Sequence, residues 1–170
     1  ITLAEGDQLI ATFFVSKSDS AIIATRKGQA IHFKTSDVRE MGRGALGVRG
    51  IRMAKGDSVV GADRVARDTG ELSVFSISEN GFGKRTKISE YKIQGRGGSG
   101  IKTFKVTAKT GSLMRSSVLS DGEAEIVAVS RRGQVIRLAL KEVPLLGRAT
   151  QGVKIMKLRE GDAIASVVCL

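Results

Sequence analysis

The sequence predicts an all-β fold assembled from repeated units, and three observations carry that prediction. Apolar residues fall in short runs rich in Val, Ile and Phe, bounded by glycine-containing turns. No window holds apolar residues at i, i+3, i+4 and i+7 long enough for a good helix, and 21 glycines in 170 residues disfavour one. The chain also matches itself at a shift of 53 and then 52 residues, the long-period signal of solenoids, propellers and related arrays.

The strand-like runs are residues 9–15, 21–24, 51–53, 58–60, 72–77, 101–106, 113–118, 125–129 and 153–158. Four strands in each 52- or 53-residue unit make propeller-like blades. The self-match places Thr25 to Ile31 on Ser130 to Ile136, with Ser78 to Phe82 between them, so that the turn glycines coincide. Gly42-Arg43 with Gly47 aligns with Gly95-Arg96 with Gly100 and with Gly147-Arg148 with Gly152. Gly56-Asp57 and Gly161-Asp162 close the first and third units, where the second has Lys109-Thr110-Gly111. The expected division of this single domain is therefore 1–7 as the tail of a preceding repeat, then repeats at 8–57, 58–111 and 112–170. Beginning at Ile1 in mid-pattern, the chain reads as a piece of something longer. Its array is open or completed by strands from neighbouring units, with end repeats less stable than the middle one.

Charge points to the partner. Lys and Arg total 28 against 17 Asp and Glu, a formal net charge of +11. Clustered cations gain free energy by displacing counterions from phosphates, so nucleic acid ranks ahead of a membrane or an acidic protein. Aromatics are only 4% of the chain, too few for the stacking platforms of single-strand binders, which favours duplex. The lone Cys169 cannot form an internal disulfide and no Cys/His cluster has metal-ligand spacing. A reducing cytoplasm fits, a structural metal does not, and no apolar run is long enough to span a bilayer.

Several motifs resolve to simple readings. Gly42-x-Gly44-x-x-Gly47 and Gly95-x-Gly97-x-x-Gly100 satisfy a dinucleotide-binding pattern but precede strand-like sequence rather than a helix, and Gly83-Lys84 lacks the rest of a P-loop. Tyr91 aligns with Val38 and Val143 and reads as a packing residue. Glu90 aligns with Asp37 and Glu142, a repeated structural acid. His32 aligns with Arg85 and Arg137, which places it at an outward strand position. Asp7, Asp57 and Asp162 read as turn formers, and no catalytic dyad is present.

The glycines Gly42, Gly47, Gly95, Gly100, Gly147 and Gly152 are expected to shape inter-strand turns. Arg43, Arg96 and Arg148 are expected to meet DNA phosphate, because the same planar donor recurs at the same place in each unit. Further cations recur at matched places: Arg26 with Arg131, Arg49 with Lys102 and Lys154, and Arg52 with Lys105 and Lys157. Lys27, Lys84, Arg85, Arg132 and Arg137 complete the expected DNA-facing set. Stacked blades would turn these into a rim stripe that favours bendable duplex over any base sequence.

Met41 to Arg52, Glu79 to Thr86, Tyr91 to Gly100 and Leu146 to Val153 together resemble the repeats of the β-pinwheel C-terminal domain of the DNA gyrase A protein, also found in the corresponding protein of topoisomerase IV. The order resembles the fourth, fifth and sixth blades of six. The resemblance implies non-sequence-specific duplex binding, bending and wrapping that supports ATP-dependent negative supercoiling by a holoenzyme, with the rest of the gyrase A chain and the gyrase B chain as partners. ATP and Mg2+ would act elsewhere in that chromosome-associated, cytoplasmic complex, so no cofactor and no catalytic residue is expected in this chain. Gln94 to Gly100 is similar to the family's gyrase-A box but departs at its second and sixth places and lies in a later blade. The equivalent topoisomerase IV domain and a propeller-like protein-interaction platform stand as alternatives.

Overall fold

The computed structural model describes residues 1–67, 70–120 and 125–170. Three aligned hairpins organise it. β1 (Ser20–Thr25) returns as β2 (Gln29–Lys34), β4 (Leu72–Ser78) as β5 (Phe82–Lys87), and β8 (Glu125–Ser130) as β9 (Val135–Ala139). A 3-10 turn follows each second strand, at Thr35–Asp37, Ile88–Glu90 and Leu140–Glu142. The strands β3 (Val59–Val65), β7 (Leu113–Ser120) and β11 (Ile164–Cys169) each pair antiparallel with the first strand of the hairpin before them.

The fourth strand of a blade comes from the next unit. β6 (Ile101–Lys102) crosses back to pair with Ala30 and Gln29 of β2, and β10 (Val153–Lys154) crosses back to Gly83 and Phe82 of β5. The sheets therefore run β3-β1-β2-β6, then β10-β5-β4-β7, then a three-stranded β11-β8-β9. Blades are thus not coextensive with the repeats read from the sequence: the first takes β1 and β2 from residues 8–57 and both edge strands from 58–111.

Each crossing segment is held at the hairpin tip. The carbonyl of Gly28 accepts from Thr103 N at 2.8 Å and Phe104 N at 3.3 Å; that of Gly81 accepts from Ile155 N at 2.9 Å and Met156 N at 3.2 Å. The side chains delivered with those amides, Phe104 and Met156, are fully buried. Phe104 joins Ile22, Ala24, Val74, Tyr91 and Leu113 in a core between the first two sheets. Met156 joins Phe75, Ile77, Ile126, Leu140 and Ile164 between the second and third. The hydrophobic stabilisation therefore lies in the seams between blades as much as within them.

The structure departs from the predicted strands in two ways. Residues 9–15 and 51–53 form no ladder, and only the first two residues of 101–106 and 153–158 do. The strands matching 9–15 each pair with a hairpin, whereas 9–15 find no ladder partner among the described residues and Phe14 stands 97% exposed. Conversely β2, β5, β9 and β11 were not among the predicted runs. Phe82–Lys87 carries one large apolar side chain among cations and small residues, and is a strand because Val74 to Ile77 and the crossing segment pair with it.

Tight contact at the crossings explains one glycine of the second and of the third Gly-Arg motif, whereas Gly47 of the first has a positive φ with nothing within 4 Å. Gly100 has φ +71°, and a Cβ there would sit 2.4 Å from the Ala30 carbonyl oxygen; Gly152 has φ +74°, with the Gly83 carbonyl oxygen at 2.5 Å. Only glycine permits that backbone and that approach. Gly42 and Gly95 have neither a positive φ nor an atom within 4 Å of a Cβ, and Gly147 meets only Thr150 Cγ2 at 3.9 Å. Gly100→Ala is expected to cost at least about 2 kcal/mol in denaturant unfolding, whereas Gly95→Ala should stay within about 0.5 kcal/mol of the parent.

Candidate nucleic-acid interface

The first two sheets meet through β3 and β7, where the backbone at Gly61 lies against Ser116 and Asp63 Oδ2 accepts from Val118 N at 3.0 Å. In the first two sheets the strands brought over from the next unit, β6 and β10, occupy the opposite, outer edge. The cations divide according to where they fall in this frame.

Lys102, Lys105, Lys154 and Lys157 lie exposed on or just after the two outer strands, and Arg49 and Arg52 occupy the matching exposed places in the first unit. None of these side chains makes a hydrogen bond or ion pair with the described residues; Lys154 Nζ lies 5.3 Å from the Phe82 ring centre. Their backbones, by contrast, are fixed: Arg52 N donates to Gly98 O at 2.8 Å and Lys105 N to Thr150 O at 3.0 Å. The result is a series of uncompensated charges on an anchored edge. Arg43 and Arg131 are likewise exposed without a side-chain partner among the described residues.

Other members of the expected set make contacts across the seams. Arg96 Nη1 donates to Arg49 O at 2.5 Å and its Nε to Asp37 O at 3.2 Å. Arg148 Nη1 donates to Lys102 O at 2.7 Å, while Glu90 Oε2 accepts from Arg148 N at 3.0 Å. The arginine of the Gly-Arg pair thus spans two units at both seams and is only half-exposed. In the second and third units it makes matching contacts, while Arg43 of the first makes none among the described residues. The box-like loop Gln94 to Gly100 belongs to the same strap, with Gln94 N donating to His32 O at 2.7 Å and Gly97 N to Gly50 O at 2.8 Å.

His32 is not outward. It is 7% exposed, with Nε2 2.6 Å from Ser20 Oγ and Nδ1 2.7 Å from the Tyr91 carbonyl oxygen. Since a carbonyl only accepts, Nδ1 carries the proton in that contact. Arg85, its match in the second unit, donates Nε to Val143 O at 2.8 Å, the carbonyl that matches Tyr91. The position is a seam donor in both units. Tyr91 itself is 2% exposed, its hydroxyl 2.6 Å from Thr103 Oγ1, so it packs rather than reacts.

Lys84 departs furthest from expectation. It is 0% exposed, and its ammonium is used up by backbone and hydroxyl oxygens, so it cannot meet phosphate directly. The sequence signal for this was its match to Ile31 and Ile136, an apolar core register. Elsewhere, Arg26 pairs with Glu79 at 2.5 Å and Arg137 pairs with Glu125. Lys27 Nζ donates to Lys55 O at 2.6 Å and Arg132 Nη1 to Glu160 O at 2.9 Å. Asp57 and Asp162 tie the hairpin tips, accepting from Lys27 N at 2.9 Å and Arg132 N at 3.2 Å.

This division predicts opposite behaviour for arginines and lysines that look alike in sequence. Arg148→Ala should lower unfolding free energy by about 1–2 kcal/mol through the missing seam hydrogen bond. Lys105→Ala should leave it within about 0.5 kcal/mol, both read by denaturant titration.

Comparison with known proteins agrees with the three-fold repeat. A family model described as DNA gyrase C-terminal domain, beta-propeller, matches residues 19–66, 73–115 and 124–170. The DNA gyrase A protein of Aminobacterium colombiense is 44% identical over 164 residues, covering 96% of this chain and 20% of that protein. The DNA gyrase A protein of Staphylococcus epidermidis is 40% identical over 167 residues, covering 98% and 18%. The chain thus spans about a fifth of the length of these relatives. The solved DNA gyrase A C-terminal domain superposes with a TM-score of 0.85 at 31% identity, over 98% of this chain and 56% of that one. The C-terminal domain of DNA topoisomerase IV shares the fold, with a TM-score of 0.83 at 19% identity over 91% and 47%. With three matched segments that together take in most of its length, the chain belongs to the DNA gyrase C-terminal domain, β-propeller, family.

Proposed function

We propose that this chain binds duplex DNA without base-sequence preference and bends it along the outer edge, as the C-terminal module of a DNA gyrase A protein. The observation that carries the reading is the matched series Arg49, Arg52, Lys102, Lys105, Lys154 and Lys157, exposed and unpaired on segments whose backbone is pinned to the neighbouring blade. Charge neutralisation and counterion release would supply affinity, and spacing imposed by rigid seams would supply curvature. Nothing on that edge resembles a reader of base edges: no helix or paired ribbon projects from it among the described residues. Within a full enzyme this module would hold DNA for the parts that cut, pass and reseal it using ATP and Mg2+, with the gyrase B chain as partner. The chain itself would contribute no cofactor site and no catalytic group, and the complex would work on the chromosome in the cytoplasm.

The test is a salt titration of binding to two unrelated duplexes of about 40 base pairs, reporting affinity and end-to-end energy transfer together. Wild-type chain should bind both equally, lose affinity steeply with salt and raise the transfer. The triple change Arg52→Ala, Lys105→Ala and Lys157→Ala should weaken both duplexes alike and reduce the log–log salt slope by about 0.9 for each phosphate no longer neutralised. An unchanged slope would remove the outer edge from the interface; strong preference for one duplex would replace shape reading with base reading.

A further inference from the structure

The two complete seams are built to one plan but filled with different chemistry at one position. At the first seam, Ile31 lies under the crossing loop of the second unit, its Cδ1 3.7 Å from where a Gly98 Cβ would stand. At the second, Lys84 occupies the matching place, 0% exposed. Its Nζ donates to Gly147 O at 2.7 Å, to Arg148 O at 2.6 Å and to Thr150 Oγ1 at 3.2 Å, and lies 5.7 Å from the Phe104 ring centre. As an ammonium it can donate to all three oxygens and as a neutral amine to two of them, and no carboxylate among the described residues is hydrogen-bonded to it. Removing an ammonium from water without a paired anion is unfavourable, and neutral carbonyls offset that only in part.

We infer that Lys84 makes the seam between the second and third repeats a proton-coupled hinge, whose opening releases the crossing loop and returns the buried amine to water as an ammonium ion. Apolar Ile31 gives the first seam no such coupling. The charged groups facing the amine are Glu90, from the turn after β5, and Arg148, on the crossing loop; burial is the dominant influence, with Glu90 favouring the charged form and Arg148 opposing it. Tyr91 packs nearby with its hydroxyl bonded to Thr103.

The direction follows from linkage. Burial lowers the amine from 10.5 to about 8 in the closed seam, while an opened seam restores the higher value. Between those values the open state binds more protons, so raising the pH through that window favours closure. The hinge is therefore looser near neutrality and tighter in alkali, the reverse of a lock held by its charge.

Amide hydrogen exchange tests this on the intact chain without DNA, so the outcome stands apart from whether DNA is bound. Leu146, Ile155 and Met156 report the second seam; Gln94, Thr103 and Phe104, bonded to the matching carbonyls, report the first in the same sample and cancel the ordinary pH dependence of exchange. The ratio of second-seam to first-seam protection should rise by on the order of tenfold between about pH 7 and about pH 9.5. In Lys84→Met it should be flat over the same range, whatever its absolute level. A flat ratio in the wild-type chain would overturn the inference without needing any variant, and an equal rise in Lys84→Met would overturn it by assigning the coupling to another group.

Discussion

A sheet edge left bare is a row of unmet donors and acceptors, and this structure depends on how that edge is covered. The strand that completes each of the first two blades comes from the following unit, and the carbonyls of Gly28 and Gly81 at the hairpin tips each receive two amides from it. The same segments drive Phe104 and Met156 into the space between sheets. Pairing, core filling and attachment of one repeat to the next are therefore a single event, and no blade is complete on the residues of one repeat. The cation series on the outer edge follows from it, because the strand that crosses over is the strand that carries the lysines.

That arrangement gives a recurring residue two distinct reasons to recur. A side chain can repeat because an outer surface repeats, as for Arg52, Lys105 and Lys157, or because a seam repeats, as for Arg96 and Arg148 donating to the carbonyls of Arg49 and Lys102. Both leave the same mark on a self-alignment. His32 and Arg85 make the point with unlike side chains: an imidazole and a guanidinium reach matching carbonyls across successive seams, so what is kept is the donor and its reach. The seam arginines also hold the backbones whose own side chains, Arg49 and Lys102, are exposed to solvent. Seam bonding and solvent-facing charge are thus divided between neighbours in sequence and space.

The seams are not equivalent. A hydrophobic side chain at the first and a buried amine at the second place an apolar contact and a desolvated charge at matching points of one repeat plan.

The sequence by itself determined the all-β class, the repeat period, the turn residues and the cationic balance, because these are set by local patterning: short Val- and Ile-rich runs, aligned glycines and counted charges. It also located the outer-edge cations by their spacing, and Tyr91 as a packing residue by its match to valines. Tertiary structure decided the rest. Phe82–Lys87 has little strand character of its own and is a strand through its two partners, while residues 9–15 have ample strand character and no partner among the described residues. Which cations face solvent, which cross a seam and which is buried turned on contacts between residues far apart in the chain, with 46 positions separating Arg148 from Lys102 and 63 separating Lys84 from Gly147. Hydrogen bonding and desolvation act across space at those separations, and no local pattern in the chain encodes them.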